Sequence, residues 1–210
     1  MGHFLAVSAF RPVTPENLAS AIVGVASSFD VAASVVSGGP VEEDQAAVHA
    51  TVGGWTVVIW PEGFNLHDIA VAAAVTGLIG GVASTVHIYD DDYWTHAVVQ
   101  DGSVLDVFCS MPTYFDDDPA LIERYAGRPQ VVADAVAADP ELVARYLRLA
   151  KDAESEKAFD DDRFTIDDPW VFTDLWTRLG ITYPDDSQDA VAIVQLGEGW
   201  TVALPENPSI

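Results

Sequence analysis

Aspartate runs at Asp90, Asp91 and Asp92, at Asp116, Asp117 and Asp118, and at Asp160, Asp161 and Asp162 concentrate the chain's reactive side chains. The first run sits among rings, in the order Tyr89, three aspartates, Tyr93, Trp94. The second follows Tyr114 and Phe115. Carboxylates beside large rigid rings suit the capture of a basic protein surface: the charges steer, and the rings supply the contact energy. The contact set expected from this reading is Asp90, Asp91, Asp92, Tyr93, Trp94, Tyr114, Asp116 and Asp117. Aspartate also ends strands, makes turns and caps helices, and Asp118 before Pro119 fits a helix cap. The third run reads as a solvated loop.

Other chemistries leave weaker traces. A calcium loop spaces its oxygens at alternate positions and bends at a glycine; no segment does so, and no metal site is expected. His3, His49, His67 and His87 show no metal-ligand spacing. Phosphate-binding glycine loops are absent, and no cofactor is expected. His96 and Cys109 could form a thiolate–imidazole pair if Gln100 pairs with Ser103, His96 with Val107 and Trp94 with Cys109. That face would also carry Val98, Leu105 and Val107, which makes it a core face. The expectation is therefore no enzyme, with a His96/Cys109 site as the alternative.

The charge is lopsided. The chain has 33 acidic and 9 basic side chains, a formal charge of −24. From Pro12 to Glu123, 112 residues contain sixteen carboxylates and no lysine or arginine. Such a field disfavours direct nucleic-acid and membrane binding and attracts basic proteins. A salt-adapted cytoplasmic protein, whose charge carries no partner information, is the alternative; salt adaptation should deplete lysine and arginine throughout, whereas all of them except Arg11 lie at or after Arg124. Six Trp, nine Phe and six Tyr make this a folded chain rather than an acidic tail. The single cysteine excludes an internal disulfide, and the N-terminus lacks a basic signal-peptide region, so a cytoplasmic location is expected. Residues 69–86 carry no charge, but Gly80-Gly81 should divide them into a helix and a strand.

These residues need a scaffold. A strand over 4–10 precedes a helix opened by Thr14-Pro15-Glu16 and running to 29. A strand over 31–37, a loop over 38–45 and a hairpin of 46–52 with 55–60 follow. Asn65 and Asp68 resemble a capping box for an Ala-rich helix. A strand over 83–89 leads to a hairpin of 93–100 and 103–109, turned at Asp101-Gly102. Asp-Pro pairs at Asp118, Asp139 and Asp168 read as helix starts. The last opens a helix with Phe172, Leu175, Trp176 and Leu179 on one stripe. A final hairpin of 190–196 with 200–204 closes the chain, and its Gly-Trp-Thr-Val echoes residues 54–57. The class is α+β: an antiparallel sheet with helices on one face, in the manner of an elaborated ferredoxin-like sandwich. Residues 1–115 form the sheet core, and the helix-rich 116–210 pack on it as one domain.

Several strings carry a family resemblance: Trp55-Thr-Val-Val-Ile-Trp-Pro61, Phe64-Asn-Leu-His-Asp68, residues 83–96, residues 108–115 and Asp168-Pro-Trp-Val-Phe172. On these, the chain resembles a group of uncharacterised acidic actinobacterial proteins, which implies no particular activity. In general character it also resembles bacterial toxin immunity proteins, whose acidic surfaces occlude a basic toxin or nuclease. No functional residue is carried over from that likeness.

Overall fold

Strand β1 (Leu5–Arg11) is buried on both faces, and this decides the architecture. Ala6 and Phe10 enter one apolar cluster, while the alternate residues Val7 and Ala9 enter another. Successive side chains of a strand point to opposite faces, so the sheet is covered on both sides. The computed structural model describes residues 3–36, 40–184 and 186–207.

The sheet has eight antiparallel strands. Besides β1 they are β2 (Ala33–Val36), β3 (Gln45–Val48), β4 (Thr56–Ile59), β5 (Val82–Tyr89), β6 (Tyr93–Gln100), β7 (Ser103–Cys109) and β8 (Ala192–Leu196), in the order β2-β8-β3-β4-β1-β5-β6-β7. Helices α1 (Pro15–Ser28) and α2 (Asp68–Ile79) cover one face through Leu18, Ile22, Val25, Ile69 and Val75. After the short α3 (Ala120–Arg124), the helices α4 (Pro129–Val136), α5 (Pro140–Tyr146) and α6 (Phe172–Arg178) cover the other through Val132, Tyr146, Leu175 and Trp176. The chain is thus α+β with an antiparallel sheet, but helices lie on both faces rather than one. The near-continuous burial of β5 and β6 is the physical reason.

Local signals place most elements. Thr14 caps α1, and Asp139 and Asp168 accept backbone N–H bonds at their Pro-led starts. Asp118 accepts from Ala120 N at 2.9 Å. Gly80 and Gly81, both at positive φ, separate α2 from β5 as expected. Among the described residues no helix is long and apolar enough to cross a membrane.

Two expected elements differ. Residues 200–204 do not pair as a strand: α7 (Trp200–Ala203) is a single helical turn, while β8 inserts between β2 and β3. Trp200 packs on Phe64 at 5.2 Å and His67 at 5.7 Å, and that anchoring overrides the β-propensity of Trp-Thr-Val. The capping box also fails. The side chain of Asn65 does not cap α2; Asn207 accepts from Ile69 N and Ala70 N instead. The expected end of the second strand at Ser37, and the loop start at Gly38, lie outside the described residues.

Candidate functional site

The β5–β6 hairpin aims the first aspartate run outward. Asp90 and Asp91 both adopt positive φ, at 52° and 60°, and Asp92 N donates to Tyr89 O at 2.9 Å. Aspartate tolerates the left-handed region better than most residues, which suits the run to this tight turn. His3 ties the turn to the lead-in of β1. Its backbone N donates to Asp91 Oδ2 at 3.0 Å, its Nδ1 lies 3.0 Å from the same oxygen, and Asp91 N donates to His3 O.

Below the turn, Tyr89 and Tyr93 face each other across the strands and stack with centroids 5.4 Å apart. Phe4 meets the edge of Tyr89 at 4.9 Å, Phe115 meets it at 5.1 Å, and Tyr114 lies 5.1 Å from Tyr93. Tyr114 OH donates to Asp92, and that bond, before any burial, pushes the phenol up to about 12. The outer rings remain open: Phe115 is 65% exposed, and Phe4, Tyr114 and Met111 are each more than a third exposed. The exposed residues Asp90, Asp91 and Asp92 lie between Tyr89 and Tyr93 in the chain, and the exposed Asp116 and Asp117 follow Phe115, so carboxylates flank this aromatic platform. Beside it runs a groove of about 550 Å³ lined by His3, Asp91, Thr165, Asp167, Asp168, Pro169 and Trp170.

The expected contact residues separate into two groups. Asp90, Asp91, Asp92, Tyr114, Asp116 and Asp117 are exposed at this end, with Tyr93 forming the floor at 7% exposure. Trp94 belongs elsewhere. It is 1% exposed, lies against Phe108 at 5.0 Å and sits in the cluster beneath the C-terminal helices. Tyr93 and Trp94 are consecutive strand residues, so they could not have shared a face. Phe4, Tyr89 and Phe115 take the place expected of Trp94. The turn pairing of Tyr89 with Tyr93 could have found Tyr89; nothing local marks Phe4.

The third aspartate run is not simply solvated. Asp162 is buried, accepts from Tyr146 OH at 2.9 Å and from Phe159 N at 2.9 Å, and pairs with Arg178 at 2.7 Å. Asp161 shares that guanidinium from the exposed side.

His96 and Cys109 do not meet. Gln100 pairs with Ser103 and Val99 with Val104, but the register then shifts, so that Val98 opposes Asp106, His96 opposes Phe108 and Thr95 opposes Cys109. A one-residue slip reverses the face of every later side chain. Cys109 joins Tyr93 and Tyr125, where burial pushes its thiol up to about 11. His96 faces the opposite core, bonded through Nε2 to Ser84 Oγ at 2.9 Å. Among the described residues no three His, Cys, Asp or Glu side chains converge as metal ligands. No family model matches the chain, and no match was found among curated proteins or solved structures.

Proposed function

We propose that the chain binds a basic protein through the Phe4/Tyr89/Tyr114/Phe115 platform and inhibits it by covering its cationic surface, as an immunity protein does to a toxin or nuclease. One observation carries this reading: the exposed rings of Phe4, Tyr114 and Phe115 meet on the half-buried ring of Tyr89, and exposed aspartates flank them along the chain. Exposed apolar patches with a polar rim mark interaction sites. The rim decides the partner. Two copies of this acidic end would repel each other, whereas lysine or arginine on a partner gains from both the charges and the ring faces. Occlusion requires no chemistry from this chain, only a rigid hairpin and a large on-rate.

Phe115→Ala should weaken binding to the basic partner by about 2 kcal/mol, roughly thirtyfold, without lowering the melting temperature. Asp117→Lys should act mainly on the association rate, and its effect should fade in high salt. Titration calorimetry and stopped-flow association measure the two. Wild-type affinity in the Phe115→Ala variant would place the contact elsewhere.

A further inference from the structure

The buried carboxylate of Asp68 collects three donors, two from β5 and one from Asn207. Its Oδ2 accepts from Thr85 Oγ1 at 2.9 Å, and its Oδ1 accepts from His87 Nδ1 at 3.0 Å and Asn207 Nδ2 at 2.7 Å. A carboxylate only accepts, so His87 keeps its proton on Nδ1. Thr85 spends its single proton on Asp68; Ser8 Oγ, 2.7 Å away, therefore donates to Thr85 and itself accepts from Trp60 Nε1 at 2.8 Å. The donors on the sheet side are fixed by full strand ladders on β1 and β5. Asn207 is fixed differently.

Asn207 Oδ1 accepts from Ile69 N at 2.9 Å and Ala70 N at 3.1 Å, so a residue far along the chain caps α2. Its Nδ2 also donates to Asn65 O, its N donates to Leu66 O at 2.7 Å, and His67 Nδ1 donates to Pro205 O at 3.1 Å. After Leu204, which is buried, the segment is Pro205, Glu206 and Asn207, none of them fully buried. It is held across α2 by hydrogen bonds rather than by packed apolar surface. Asp68 would retain Thr85 and His87 as donors if Asn207 left, so release strands no charge.

We propose that Pro205, Glu206 and Asn207 form a strap that opens as a local unit, baring Asp68, His87 and the first turn of α2 while the sheet stays folded. Segments poor in apolar contact open well below the global unfolding free energy. His87 lies two residues from Tyr89 on the same strand face, so opening would widen the surface beside the platform.

Native-state hydrogen exchange on the full chain tests the strap. The amides of Ile69 and Ala70 should exchange with little denaturant dependence, while that of Val86 follows global unfolding. Asn207→Ala should speed exchange at Ile69 and Ala70 about tenfold, in line with the loss of a helix cap, and leave Val86 unchanged. Ile69 and Ala70 exchanging with the denaturant dependence of Val86, or all three accelerating together in Asn207→Ala, would overturn the proposal.

Discussion

Trp94→Ala should lower the unfolding free energy by about 3–5 kcal/mol, the range for truncating a large aromatic in a packed core. The indole is 1% exposed and fills the space between β6 and the C-terminal helical layer, against Phe108. Its Nε1 has no hydrogen-bond partner among the described residues, so its contribution comes from shape and apolar area. The neighbours are held by the sheet on one side and by Phe172 and Trp176 on the other, and cannot collapse into the gap. Urea unfolding measures the loss. A decrease below about 1 kcal/mol would mean the site is less tightly packed than described. In a binding assay the variant would report unfolding rather than contact, which is why Phe115 is the informative ring.

Acid should destabilise the protein through His96, by about 3 kcal/mol between pH 7 and pH 4. The ring is fully buried, and burial pushes its pKa from 6.5 down to about 4; nearby Asp106 offsets this only in part. Trp176 Nε1 donates to Ser84 Oγ at 3.0 Å, which leaves the serine proton to be given to His96 Nε2. A second proton on the ring would have to displace that bond. As pH falls through 6.5 the unfolded chain takes up this proton first and the folded chain resists until about 4. Stability is therefore complete above 6.5 and is lost progressively down to 4. The gap of about 2.5 pH units corresponds to about 3 kcal/mol at 1.36 kcal/mol per unit. Comparing wild type with His96→Gln at the two pH values removes the effect of the carboxylates, which titrate in both. The stability difference should shift in the variant's favour by about 3 kcal/mol on acidification; parallel profiles, or a His96 resonance titrating near 6.5, would contradict the assignment.

The hairpin of β6 and β7 was legible because turn chemistry and alternation are local, whereas the expected closing hairpin did not form. The strands over 93–100 and 103–109 appear with those limits, and the Asp-Pro helix starts at Asp139 and Asp168 are used as caps. What failed depends on distant partners. The register shift between β6 and β7 moves Cys109 away from His96 and has no glycine to announce it. The cap of α2 comes from Asn207, and Trp200 turns helical because Phe64 and His67 wait for it. The carboxylates of the proposed binding surface were readable as a charged run, and Tyr93 and Tyr114 as its rings. Phe4 joins them only because β1 pairs with β5.

Affinity capture is the most direct test of the proposed binding surface. Tagged wild type and a Phe115→Ala/Asp117→Lys double variant would be exposed to native lysate at physiological salt and eluted with a salt gradient. A basic protein retained by the wild type, released as salt rises and absent from the variant, is the predicted result. Equal retention by both forms, or capture of no basic protein by the folded wild type in cells that produce one toxic to them, would contradict the account.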